Sequence, residues 1–288
     1  MRALAIVIVL AGCKSKDAGP PIVWPEVGQT KILLAEDRVE NAYPRLSRDM
    51  RSVLYQSNRS GHWQLYELDL ASGESRALMD TPSNETLPDW SRDGLAWVSD
   101  RDGNEEVYVM DGDEPRRISN SPGRDLHPYW SPDGKALLYN TQDRGSFDVV
   151  RVELATGATE RLTASPEDDT CARYSPDGKR IVLLRNDARM DDVVEIVDGV
   201  ARDVTMTPAV RDGWPTWSPD GAWIYYASMA DGAFSIYRVS AAGGSPERLT
   251  TAAPGEEDAR PFVSADGRLL VYNKRANGAI DIRVLRLS

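Results

Sequence analysis

The sequence predicts an all-β fold, a six-bladed β-propeller with an N-terminal strand closing the last blade. A turn phrase recurs six times at a near-constant spacing. Each interval alternates apolar and polar residues with a period of two, and none has a convincing helical period. The last copy stops one strand short, and a matching strand stands near the N-terminus.

The phrase reads RLSRDM (45–50), DWSRDG (89–94), YWSPDG (129–134), RYSPDG (173–178), TWSPDG (216–221) and FVSADG (262–267). Its aspartates, at 49, 93, 133, 177, 220 and 266, are 44, 40, 44, 43 and 46 residues apart. That period suits a four-stranded blade. In the third copy, residues 128–131 are predicted as a short first strand and SPDG as a turn. ALLYNT then makes the second strand, a loop with Gly145 reverses the chain, DVVRVEL makes the third, Thr156-Gly157 turns, and ERLT makes the fourth. Gly61, Gly103, Gly232 and Gly278 hold the place of Gly145, while RAL, RIS, DVT and RLT supply fourth strands elsewhere.

The phrase is best read as a turn plus a packing residue. Proline presets φ, aspartate tolerates the next position, glycine accepts the positive φ that follows, and serine can bond back to the turn backbone. The residue before each serine is apolar: Leu46, Trp90, Trp130, Tyr174, Trp217 or Val263. Copy four has Ala172 for the usual proline and Arg189 for the loop glycine, so its blade is expected to be irregular. The last copy ends after IDIRVLRLS, its third strand. A strand at 31–34 is therefore expected to complete blade six from outside, which removes exposed sheet edges.

The repeat resembles that of the TolB-type (WD40-like) β-propeller family, over about residues 30–288. The resemblance rests on P-x-W-S-P-D-G, the aliphatic strand after it, and a terminal R-L-T. It implies the fold, and it implies docking of partner proteins at the channel face. MRALAIVIVLAGC has one Arg, an apolar run too short to span a bilayer, and Leu10-Ala11-Gly12-Cys13, which resembles a bacterial lipobox. Residues 1–12 are then a lipoprotein signal peptide, Cys13 the lipidated residue and 13–29 a flexible tether. Lys14, where an Asp would signal inner-membrane retention, points to the outer membrane, facing the periplasm.

Composition narrows the function. With 45 acidic residues against 34 basic and a net charge of −11, nucleic acid is a poor partner. There are two histidines, His62 and His127, and no GxSxG, HExxH, P-loop or GxGxxG pattern. No cofactor and no metal is expected: zinc-type clustering is absent, and DGDEP (111–115) lacks calcium-loop spacing. Cys171 is expected to be a small buried filler.

Three residues before each proline, or before Ala172, stand Asn41, Glu85, Asp125, Asp169, Asp212 and Asp258. They are expected on loops converging at the channel mouth. Immediately before the proline stand Tyr43, Leu87, His127, Cys171, Trp214 and Arg260, with His127 and Trp214 as further binding candidates. Such an acidic ring would attract a basic peptide segment, unless each acid instead caps its own loop. The leading function is a lipid-anchored, non-enzymatic envelope propeller that binds a protein or peptide. The alternative is a propeller enzyme or carbohydrate binder whose site is built from scattered loop carboxylates.

Overall fold

The computed structural model describes residues 21–91, 94–186, 191–205 and 210–288. Among them all regular structure is β-strand, arranged as six four-stranded antiparallel sheets. In blades 1 to 5 the strands follow chain order from the axis outward. In blade 3 they are Asp125–Trp130, Ala136–Thr141, Asp148–Glu153 and Thr159–Arg161. The innermost strands of the six blades are Asn41–Leu46, Glu85–Ser91, Asp125–Trp130, Asp168–Tyr174, Asp212–Trp217 and Glu257–Val263. Each contacts the next, and the sixth contacts the first, so they enclose an axial channel.

The core is divided the same way. Six apolar clusters lie between neighbouring blades, such as Leu54 and Leu65 of blade 1 against Trp97 and Tyr108 of blade 2. The residue before each motif serine joins a different cluster in every blade. Burying each such side chain stabilises the ring by roughly 1.5–3 kcal/mol. The Trp217 indole also donates to the Arg173 carbonyl of the preceding blade, at 3.3 Å. The phrase therefore staples blades together.

Its turn is built as its residues imply. The Ser131 hydroxyl donates to Asp133 at 2.7 Å and accepts from the Ala136 amide at 2.9 Å. The Asp133 carboxylate also accepts the Lys135 amide at 3.1 Å. Ser47, Ser175, Ser218 and Ser264 repeat this arrangement. Gly134, Gly178, Gly221 and Gly267 take φ between 70° and 74°, and Met50 takes φ 57° in blade 1. Blade 2 departs from the expectation. Gly94 pairs with Ser91 without a positive φ, and its small size serves packing instead: a Cβ there would lie 3.3 Å from the Trp130 ring. Arg92 and Asp93 lie outside the described residues.

Blade 4 is more regular than its sequence suggested. Its inner strand keeps the register shift of the other blades although Ala172 replaces proline. Arg189 lies outside the described residues. The ring closes as expected: Thr30–Leu34 pairs antiparallel with Ala279–Arg286, with Thr30 opposite Leu285 and Lys31 opposite Val284. Residues 21–29, assigned above to the tether, are docked rather than free. Trp24 packs on the cluster between blades 6 and 1, and the Gly28 amide donates to the Arg286 carbonyl at 2.9 Å. The expected signal segment and Cys13 lie outside the described residues.

Candidate functional site

The site begins with a backbone irregularity that the sequence did not reveal. In every blade the register between the inner and second strands shifts at the proline position, so that two inner residues stand opposite one. The residue before the proline, or before Ala172, adopts a left-handed conformation: Tyr43, Leu87, His127, Cys171, Trp214 and Arg260 have φ between 50° and 55°. A non-glycine residue held there costs on the order of 1–2 kcal/mol. Because all six blades bear this cost, it belongs to the fold. The bulge also lets the strand begin earlier than predicted, at Asp125 rather than 128 in blade 3.

Part of the strain is offset by amides of neighbouring blades. Asn273 of blade 6 accepts the Tyr43 N–H and donates to the Asn41 carbonyl, both at 3.0 Å. Asn140 treats Cys171 N–H and the Asp169 carbonyl the same way, both at 3.1 Å. Gln56 accepts the Leu87 N–H at 2.7 Å. At the equivalent register position the other blades have Val98, Leu184 and Ala227.

The expected acidic rim is corrected by the bulge. Asn41, Glu85, Asp125, Asp169, Asp212 and Asp258 are the first or second residues of inner strands, and all are at most 2% exposed. Their side chains are turned into their own blades. Glu85 accepts from the Trp97 indole at 2.6 Å, Arg101 at 2.8 Å and Thr81 at 2.7 Å. Asp169 receives both arms of Arg185 at 2.8 and 2.9 Å, Asp258 lies 3.3 Å from Lys274, and Asn41 accepts from Arg59 at 3.1 Å. Asp125 accepts from Ser121 at 2.9 Å, and burial raises its pKa despite hydrogen bonds from Thr141, Ser119 and Ser121. The six residues are therefore not brought together as a solvent-facing ring.

The axis is lined by residues in the bulge and just after it. After it come Arg45, Asp89, Tyr129, Arg173, Thr216 and Phe262, which fill the channel. Arg45 is 1% exposed and donates to Asp89 at 3.1 Å and to the Tyr129 hydroxyl at 3.3 Å, with its guanidinium 5.6 Å from the Phe262 ring centroid. Arg173 donates to the same Tyr129 hydroxyl at 3.2 Å and to Thr216 at 3.0 Å. Sequence reasoning missed this layer; its one signal was the varied residue after each proline or Ala172, polar in every blade but the sixth, which has Phe262.

In the bulge itself, immediately before the proline or Ala172, lie Tyr43, Leu87, His127, Trp214 and Arg260, all half-buried, and the buried Cys171. The two candidates His127 and Trp214 do reach this mouth. His127 is 6.2 Å from the Tyr43 ring, and Arg260 lies 4.7 Å from the ring centroids of both Tyr43 and Trp214. Burial, then the charges of Arg260, Arg173 and Arg45, push the His127 pKa down to about 3. Burial raises the Cys171 thiol, which stays protonated at neutral pH.

Elsewhere, a polar hollow of about 220 Å³ on blade 4 is lined by Glu167, Arg185, Asp192, Val194 and Asp203. Among the described residues no group of three His, Cys, Asp or Glu is placed to hold a metal ion, and no helix is long and apolar enough to cross a membrane.

Comparison with known proteins agrees with the fold. Residues 20–172 and 170–288 match the family of the TolB β-propeller domain. The uncharacterized protein Atu1656 of Agrobacterium fabrum is 30% identical over 203 residues, 69% of each chain. Among solved structures, a TolB-type protein from Agrobacterium tumefaciens superposes with a TM-score of 0.64 at 23% identity, covering 74% of this chain and 80% of its own. An oligogalacturonate lyase in complex with manganese superposes with a TM-score of 0.62 at 16% identity, covering 90% and 93%. At such identities these structural likenesses speak for the fold alone.

Proposed function

Because the chain belongs to the TolB β-propeller family, we propose that it is a non-catalytic docking propeller of the bacterial cell envelope. It holds a partner polypeptide at the face where the axial channel opens. The observation that carries this reading is the mouth itself: six identical backbone bulges present six different side chains, five of them half-buried. A uniform frame with varied aromatic, apolar and cationic groups is suited to selecting a partner, and Tyr, Trp and Arg are the residues that most often anchor protein interfaces.

Absence of catalysis is part of the proposal. Asp89 is the one carboxylate among the described axial residues, and Arg45 engages it at 3.1 Å, so no acid–base pair is assembled there. His127 is neutral and weakly basic, and the Cys171 thiol is protonated, which suits neither to nucleophilic or general-base chemistry. Anchoring follows the leader: Cys13 carries a lipid in the outer membrane, and Cys13→Ser should leave the membrane fraction or fail to be processed.

Docking is tested by a photo-crosslinking residue placed at position 87 in the mouth or at position 200, which is 69% exposed on the outer strand of blade 4. A discrete adduct from 87 and none from 200 supports the reading. Equal labelling from both, or none from 87, removes it.

A further inference from the structure

We propose that the channel mouth is a carboxylate-binding site, in which Arg260, backed by Arg173 and Arg45, receives the C-terminal or side-chain carboxylate of a docked polypeptide. The identity of the occupant as a polypeptide rests on the docking reading above; the charge chemistry does not.

The argument is one of unmatched charge. Three guanidinium groups converge on the axis with one carboxylate, and their fields meet at both His127 and Cys171. Asp89 is already engaged by Arg45 at 3.1 Å and by the Trp130 amide at 3.2 Å. Among the described residues Arg173 donates to the neutral oxygens of Tyr129 and Thr216, and its buried Nε has no acceptor. Arg260 sits between two aromatic rings, and its Nε is likewise buried without an acceptor. Arg260 also shares a side-chain hydrogen bond with the Tyr43 hydroxyl, a neutral acceptor, and Glu257 contributes to its field, but that carboxylate lies 3.5 Å from Arg275. A cation withdrawn from water without a counter-charge is costly, and an anion entering from outside would relieve that cost.

The shape of the site selects the kind of anion. A guanidinium presents a planar fork that matches a carboxylate in two parallel hydrogen bonds. Tyr43 and Trp214 flank Arg260, and Leu87 supplies apolar surface for the chain carrying the acid.

Isothermal titration of the intact protein tests this with N-acetylphenylalanine, its amide, N-acetylglutamic acid α-amide and inorganic phosphate. We expect at least one of the two carboxylates to bind tenfold or more tighter than the neutral amide, weakening as salt rises. The tighter of the two identifies a chain terminus or a side chain as the source. Arg260→Gln should lower that affinity at least tenfold and Arg260→Lys less, while Arg144→Gln, an exposed arginine, changes nothing. Near-UV circular dichroism confirms that each variant retains its fold, and the acid-versus-amide comparison needs no variant at all. Equal binding of acid and amide, tighter binding of phosphate, or an unchanged Arg260→Gln affinity would each overturn the proposal. Carboxylate selectivity without a crosslink from position 87 would remove the docking reading and leave this site standing. A crosslinked partner without that selectivity would do the reverse.

Discussion

The two faces of the propeller are built from the same six repeats yet differ in kind. On the turn face, five blades repeat one serine–aspartate hydrogen-bond arrangement with the same residue types. On the mouth face the backbone repeats just as faithfully, but the side chains are tyrosine, leucine, histidine, cysteine, tryptophan and arginine. A repeated backbone with repeated side chains marks a structural joint. A repeated backbone with varied side chains marks a surface free to specialise.

The largest expected effect asks whether either face survives an open ring. Deleting residues 21–36 removes the closing strand and the packing of Trp24, Leu33 and Leu34 on the first core cluster. We expect a loss of roughly 3–5 kcal/mol and a tendency to aggregate through the exposed edge, relative to deletion of residues 1–20. Equal melting temperatures would show that the faces are held without the closure.

The next variant strikes the mouth frame alone. Asn273→Ala leaves the Tyr43 amide and the Asn41 carbonyl unsatisfied across the closing interface. Denaturant unfolding should show a loss of about 2–4 kcal/mol, since each buried orphan group costs about 1–3 kcal/mol. A loss below the effect of a turn-serine variant would break the view that the mouth frame is under strain.

Acid should separate the faces. The folded His127 pKa lies near 3, well below the unfolded value, so its stability contribution is complete above about 6.5 and is lost as pH falls. Between pH 6.5 and 4.5 it accounts for at most about 2–3 kcal/mol, reduced by whatever water reaches the mouth. His127→Asn should flatten that part of the stability profile. On the turn face, serine hydroxyls hold Asp133 and Asp177 below the usual carboxylate range, so that face weakens only below about pH 4. Matching profiles for the wild type and His127→Asn would contradict the assignment.

The smallest effects test uniformity. Ser131→Ala, Ser175→Ala, Ser218→Ala and Ser264→Ala each remove a hydroxyl that accepts one strand amide and donates to an aspartate. Each should cost about 1–2 kcal/mol, and the four values should agree closely. A wide spread would mean that the turns are not equivalent joints.

The fold could be read from the sequence because its signals are local. The turn phrase, the period-two strands and the missing last strand each depend on residues close in the chain, and together they predicted the blade count and the closing strand. Met50 and Gly94 show the limit of that reading: one takes the positive φ without being glycine, and the other is glycine for the sake of Trp130 in the next blade.

The site was only half legible. His127 and Trp214 were placed at the mouth by sequence spacing, whereas the acids were placed there wrongly. Their direction depends on a bulge that shifts the register against the second strand, and a register is a property of paired strands rather than of one segment. Arg45, Arg173 and Arg260 are separated by 128 and 87 residues in the chain, and only closure of the ring brings them to one axis. Local chemistry determined the strands, the turns and the number of blades. The tertiary structure decided which charges face the channel, because the path of a side chain across a bulge and the meeting of distant blades are settled only when the sheets pack.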